Sequence, residues 1–409
     1  MLTDAFHKQQ WESFLANELP TRKNERYKYA DFSCLKDKEF SLAKRCDDEL
    51  IQDAIHQHRL QHGESILMVF VNGYFMPMLS DLAKLTPNVI ACRLQDALND
   101  PHHADLVKQY VAENIDTGKY PFANLNTAIA TDGLFFYLPN HCEVDLPLHL
   151  LSIAIDETEF CTYPKHVFVL GENSKLTIVE EFFSHKQQAY IMNEVKHITL
   201  AKDAKLNYCK IQNEGRLAIH LAHIFLQQMQ NSFVTVTNFS FGAQFARDDL
   251  VVLLKEPGAK CKTAGFYRLR QYDQYIDHHI DISHAATHST SEMLYKGVLA
   301  EKSRAVFNGR LLVEKDAQKT LAYQANHNLL LSNQAEIYSK PELEIYADDV
   351  KCKHGATTGQ LDQDALFYLR ARGINKDDAI NILLQGFAEE ILQRIDHPGI
   401  KLRVLEMMS

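Results

Sequence analysis

The chain has 409 residues, a formal charge of −10, 46% hydrophobic and 23% charged residues. Roughly 100–200 residues make one domain, so two or three units with a large core are expected. The acidic balance argues against a general nucleic-acid binder, and no apolar run reaches the roughly 18–20 residues that span a bilayer.

The opening residues, MLTDAFHKQQWESF, lack the basic-then-apolar pattern of a signal peptide. The cysteines at 34, 46, 92, 142, 161, 209, 261 and 352 follow no framework spacing and read as reduced thiols of a cytoplasmic protein. No C-x-x-C is present, which disfavours a zinc ribbon or ferredoxin-type cluster built by this chain alone.

Residues 1–120 read as a mixed, mostly helical unit. Phe6, Trp11, Phe14 and Leu15 suggest one short helix face, stopped by Pro20. A charged link, TRKNERYKYADFS, leads to a helix over Glu49 to Leu60. ILMVFV, Asn72-Gly73 and YFMPML then spell a hairpin, with Pro77 implying an edge strand. His103 to Asn114 reads as a further helix.

Residues 121–358 read as the β core. The first part, to about 147, is transitional, with the Asp132-Gly133 turn leading into LFFYL. Short runs follow with almost no helical period, among them HLLSIAI, HVFVL, KLTIVEEF, VKHITL, KLNYCKI and SFVTVTNFS. A small or apolar residue, a polar residue and a strand start recur from Ser174, Ala204, Ser232, Ala259, Ser291, Ser303, Ala317, Ala335 and Val350. The intervals are 30, 28, 27, 32, 12, 14, 18 and 15. Such a loose period suggests coils that bury their inner faces only by stacking, a β-solenoid. An antiparallel sandwich is the alternative, weighed second because few Asn-Gly or Asp-Gly turns occur here. Cys352 falls in phase with Leu176, Leu206, Cys261, Ala305 and Ile337, so it is also readable as an inward core position.

Residues 359–409 turn helical. Asp364 to Arg372 forms one helix stopped by Gly373, and Asn375 caps the next. Ile380, Leu383, Leu384, Phe387, Ala388, Ile391, Leu392 and Ile395 give a broad apolar stripe, ended at Pro398-Gly399. A face that wide requires cover from the first helix, from the end of the β region, or from a partner.

Two groups of residues carry possible chemistry. Cys352 and His354 alternate onto one face of a strand, a soft and a borderline ligand that iron, zinc or an iron–sulfur cluster would accept. Two ligands are short of a closed site, so a binding role needs further groups, from another chain or elsewhere. His278, His279, His284 and His288 form a second group, with Asp277, His279 and Asp281 able to share a strand face; hydrogen-bonded histidines at turns are the plainer reading. No P-loop, H-E-x-x-H or G-x-S-x-G motif is present. Acids such as Asp273, Asp277 and Asp281 leave open a β-helical carbohydrate-active enzyme, and a purely structural subunit is a third reading.

The segment from Asn326 to Ile374, containing DDVKCKHGATTGQLD, resembles the C-terminal signature of the SufB/SufD family of iron–sulfur cluster assembly proteins. YKGVLAEKSRAVFNGRLLVEKDAQKTLAYQ, DHHIDISHAATHS and NERYKYADFS are similar to the same family, and the absence of cysteines after Cys352 favours its SufD-type branch. The resemblance implies a mainly β fold, a right-handed parallel β-helix flanked by N- and C-terminal helical domains. It implies a scaffold rather than an enzyme, paired with a SufB-type chain and docking a SufC-type ATPase, with a homodimer conceivable for the isolated chain. By position it makes Cys352 and His354 ligands of iron or a transient cluster at the subunit interface, with no cofactor held tightly by this chain alone. It places Phe367, Tyr368, Leu383 and Phe387 in the ATPase-docking segment.

Overall fold

The computed structural model describes residues 11–408 apart from 13–14, 16–19, 31, 33–38, 47–49, 61–64, 112–118, 156–157 and 186. Phe6 and Phe14 of the expected first helix face lie outside these residues; Trp11 and Leu15 are helical and exposed.

The N-terminal part contains β1 (Ser41–Leu42), α1 (Leu50–His58), β2 (Ile66–Val71), β3 (Tyr74–Phe75), β4 (Ile90–Arg93), α2 (Leu94–Asn99), α3 (Ala104–Val111) and α4 (Pro121–Ile129). The β2–β3 hairpin turns on Asn72 at φ 50° and Gly73 at φ 81°, the two left-handed positions of a primed turn. Gly73 is also needed for space, since a Cβ there would come 2.0 Å from Thr162 Oγ1. As Pro77 implies, β3 is an edge strand.

Next come β5 (Leu134–Leu138), β6 (Leu148–Ala154), β7 (Phe160–Thr162) and β8 (Lys165–Leu170). A regular alternation begins with β9 (Lys175–Ser184), β10 (Tyr190–Leu200), β11 (Lys205–Asn213), β12 (Ala218–Gln228), β13 (Phe233–Ser240) and β14 (Phe245–Leu254). It continues through β15 (Lys260–Leu269), β16 (Tyr275–His284), β17 (Thr290–Leu299), β18 (Arg304–Val313), β19 (Leu321–Leu330), β20 (Glu336–Ile345) and β21 (Lys351–Gly359). Sheet A runs β20-β18-β16-β14-β12-β10-β8-β5-β4 and sheet B runs β21-β19-β17-β15-β13-β11-β9-β6-β2-β3. Only β2–β3 and β4–β5 pair antiparallel within these two orders. Each coil gives one strand to each sheet, a parallel β-solenoid of about seven turns and not a sandwich.

The two classes of interval in the sequence now have a cause. Those near 30 residues are whole turns, and those of 12–18 are half turns that cross to the other sheet. Leu176, Leu206, Val234, Cys261, Ser291, Ala322 and Cys352 stack as one column of sheet B. Ala305 and Ile337, expected in phase with Cys352, instead stack on Ile276 in sheet A, because local spacing does not distinguish a half turn from a whole one.

The inner faces meet in one core that includes Leu150, Ile178, Leu206, Val252, Ile280 and Phe307. Each such side chain contributes roughly 1.5–3 kcal/mol by leaving water. Sheet A is covered outside by the N-terminal segment, where Tyr27, Phe32 and Phe122 pack on Phe245 and Tyr275, and by α2 and α3 over Val167 and Val169. Sheet B carries α1 at its start.

Three C-terminal helices are present where two were expected: α5 (Gln363–Ala371), α6 (Lys376–Leu392) and α7 (Pro398–Met408). Pro398 starts the third instead of merely ending the second, as suits the first turn of a helix. The Asn375 cap is as expected, its side chain accepting from Asp378 N–H, and Gly373 closes α5 at φ 88°. The stripe of α6 lies on the outer face of sheet B, where Leu384, Ala388 and Ile391 join Phe239, Phe266 and Val298. Helix α4 falls in the stretch read as transitional, and β2 and β4, from the stretch read as mostly helical, belong to the two sheets.

The two ends of the solenoid differ. The antiparallel strands β3 and β4 close the sheets at one end; β20 and β21 are paired on one side only at the other.

Candidate functional site

The open end carries the Cys-x-His pair. β21 pairs with β19 from Lys351↔Leu321 to Gly359↔Leu329, and alternation puts Cys352 and His354 on the lumen-facing side, with Lys351 and Lys353 outside. Cys352 is half-buried against Val313, Ala317 and Ala347. Burial pushes its thiol up, opposed by the Ala322 N–H. His354 is exposed, as are Gly355 to Gly359. A side chain at Gly355 or Gly359 would meet nothing within 4 Å. In β20 the proline at 341 interrupts the donor row, a common device on edge strands.

These two donors suit iron or a sulfide-bridged cluster, but they make half a site. Among the described residues no group of three or more His, Cys, Asp or Glu is placed to hold a metal ion, so coordination through Cys352 and His354 needs ligands from beyond the described residues.

The outer face of β21 is tied towards the C-terminal helices. Thr357 Oγ1 is 2.7 Å from His327 Nδ1 in β19. Beside His327 in register stands Lys296 of β17, whose Nζ reaches Glu390 Oε2 of α6 at 2.8 Å and the Phe387 carbonyl at 3.1 Å. Further along, Arg403 of α7 meets Glu181 at 2.7 Å, and Arg270 Nη2 donates to the Met408 carbonyl at 2.7 Å. The helices are therefore fastened to sheet B by charged contacts as well as by the apolar stripe.

The four expected partner-binding residues divide. Phe367 and Tyr368 of α5 are 74% and 57% exposed, with Arg372 stacked over the Tyr368 ring. Phe387 is half-buried under Lys296 against sheet B, and Leu383 is half-buried. Ile382, 45% exposed, is an apolar side chain of α6 that the reading of the stripe did not single out.

The histidine group is brought together only in part. His278, His279 and His284 lie within β16 and not at turns; His288 alone sits at a turn, at φ 59°. His278 faces the lumen with Asp248 at 3.5 Å, whereas His279 faces outward with Asp277 at 2.8 Å. Asp277, His279 and Asp281 do share the outer face, but cations already occupy it. Arg247 bonds Asp277 at 2.6 Å, and Arg26 bonds Asp249 at 2.6 Å and Asp281 at 2.9 Å. Asp277 and Asp281 are buried under the N-terminal segment and committed to holding it on the sheet, whereas Asp273, the third acid suggested for sugar chemistry, lies at an exposed turn at φ 58° and pairs with Lys302 at 3.5 Å.

These buried histidines make stability pH-dependent. Burial lowers His223, His278 and His284 to about 4, against roughly 6.5 in an unfolded chain. Below 6.5 the unfolded state therefore binds more protons, and stability falls as pH drops towards 4. Urea unfolding of the isolated chain is expected to show a lower midpoint at pH 5 than at pH 7.5, and His284→Gln to flatten part of that slope. Equal midpoints at the two pH values would contradict this account.

Sequence reading missed the charged groups inside the lumen. Lys196 Nζ lies 2.7 Å from Glu180 and 2.9 Å from Glu194, and Glu194 is 3.1 Å from His166. All four side chains are buried. The available signal was the placement of Glu180, Glu194 and Lys196 at inward positions of otherwise apolar alternations.

Comparison with known proteins matches residues 153–387 to the model of the SUF system FeS cluster assembly SufBD core domain, and residues 2–150 to that of the SufBD protein N-terminal region. An iron–sulfur cluster assembly SufBD family protein of Synechocystis is 33% identical over 400 residues, 96% of this chain and 87% of that protein. The iron–sulfur cluster assembly protein SufD of Escherichia coli is 29% identical over 404 residues, 97% of this chain and 90% of that one. SufD of Bacillus subtilis is 24% identical over 313 residues, covering 75% and 70%.

Proposed function

This chain belongs to the SufBD family of the SUF iron–sulfur cluster assembly system, and from that premise we propose that it is the SufD-type half of a two-chain scaffold. The carrying observation is the open end of the solenoid, where among the described residues two strand edges are unpaired beside a Cys–His pair that has no further ligands. A SufB-type chain completes both: its own terminal coil continues the sheets, and its side chains supply the missing ligands. Iron and sulfide are cargo here, assembled between the chains and passed on, and the chain acts as a scaffold without chemistry of its own. Its place is the cytoplasm; among the described residues no helix is long and apolar enough to cross a membrane.

A SufC-type ATPase docks through Phe367, Tyr368 and Ile382, the apolar side chains that the C-terminal helices leave exposed. Half-buried Leu383 and Phe387 belong to the same unit, and Phe387 packs it on sheet B. Movement of the ATPase then reaches β21 through α6 and the contacts of Lys296.

Co-expression with a SufB-type and a SufC-type chain tests this reading. The three are expected to purify together, and Phe367→Ala with Tyr368→Ala to release the ATPase while the β-helical pair remains. Without a partner the open end is expected to pair with a second copy. Failure of the SufB-type chain to bind, or binding unaffected by a charged substitution at Ala356, would reject the docking mode.

A further inference from the structure

We propose that Gln324 is a positioning residue for His354, its carboxamide oxygen receiving the ring N–H left over when the other imidazole nitrogen binds the cluster. This rests on the reading of His354 as a ligand.

Gln324 in β19 is the register partner of His354 in β21, on the same lumen-facing side, and neighbouring strands stand about 4.8 Å apart. Although it borders an exposed strand, Gln324 is 4% exposed. Its Nε2 donates to the Gly309 carbonyl at 2.8 Å. That seat exists because residue 309 has no side chain; a Cβ there would come within 2.1 Å of the amide nitrogen. With the nitrogen committed, Oε1 is turned the other way, buried and without a hydrogen-bond partner among the described residues. Native interiors retain few such orphans. Nor does packing demand a polar group: one coil earlier the same column holds Met293.

A metal-bound imidazole generally donates its second N–H to an oxygen, which fixes the tautomer and the plane of the ring. Next along the same face of β19, the Asn326 oxygen already accepts from Ser339 and from Asn328, each at 2.7 Å. Gln324 Oε1 is left as the free acceptor. His354 is exposed, and in this proposal its ring turns onto that oxygen.

The test uses the full chain labelled with nitrogen-15, the His354 ring signals being assigned with His354→Ala. Wild type is expected to hold one tautomer. Gln324→Met, which copies residue 293, is expected to move the signals to the two-tautomer average in a chain that still folds, with a melting temperature lowered by loss of the bond to the Gly309 carbonyl. In the reconstituted complex with SufB-type and SufC-type chains, the same variant is expected to lower cluster yield several-fold without loss of assembly. Ring signals identical in wild type and Gln324→Met would overturn the proposal, and so would moved signals with full cluster yield. Full yield in His354→Ala would instead sink the ligand reading, which the ring measurement does not touch.

Discussion

Replacing His354 with Ala is expected to reduce cluster assembly on the reconstituted complex to background while leaving the fold of this chain intact. Both halves follow from position. The imidazole is exposed on a terminal strand, and surface substitutions usually change stability by no more than about 0.5 kcal/mol. Coordination, by contrast, is discrete: a half-site of two donors that loses one retains a single thiol, and Cys352 is half-buried with its proton held by burial. Such a thiol is a poor ligand until it ionises. Cluster yield by absorbance, with co-purification and urea midpoint as controls, reads the outcome. Undiminished yield removes the ligand assignment. Loss of co-purification in the His354→Ala, Cys352→Ala double variant would favour interface packing, the purely structural reading.

Lys196→Met is expected to cost about 3–5 kcal/mol, the usual consequence of leaving a buried charge unpaired. Glu194, despite burial, is held well below the carboxylate range by Lys196 and His166. Glu180 is pushed up by burial and by Glu194. Removing the ammonium takes the cation from both. In the variant the folded-state carboxyls titrate above their unfolded values, so the folded state binds more protons. Stability is then fully present below the unfolded carboxyl range and lost as pH rises. The deficit against wild type should accordingly narrow towards pH 5, and adding Glu180→Gln and Glu194→Gln should recover much of it. A single variant as stable as wild type at pH 7.5 would show that the lumen does not depend on this pair.

Much of the fold was legible because it is written locally. Asn72-Gly73 can hardly be anything but a tight turn, and Asn375 and Gly373 bound α5 and α6 by their own backbone chemistry. Helix α4 was not legible. Its Phe122, Ala123, Asn124, Asn126 and Thr127 are all buried, so no polar face marks a period. Asn126 looks like a loop residue until its amide is seen donating to the carbonyls of Pro164 and Asn193, at 2.9 and 2.7 Å.

By itself the sequence determined that strands repeat, that they stack instead of pairing as hairpins, and that a thiol and an imidazole share one face near the end of the β region. Those properties depend on backbone preference and side-chain alternation, which neighbouring residues carry between them. Tertiary structure alone decided which sheet each strand joins, which of the charged residues in β16 are neutralised beneath the N-terminal segment, and that the apolar stripe of α6 lies on sheet B. It alone left the outer edges of β20 and β21 unpaired among the described residues. These depend on contacts between residues far apart in the chain, 255 positions in the case of Arg26 and Asp281, and no local pattern encodes which distant surface arrives to cover a face.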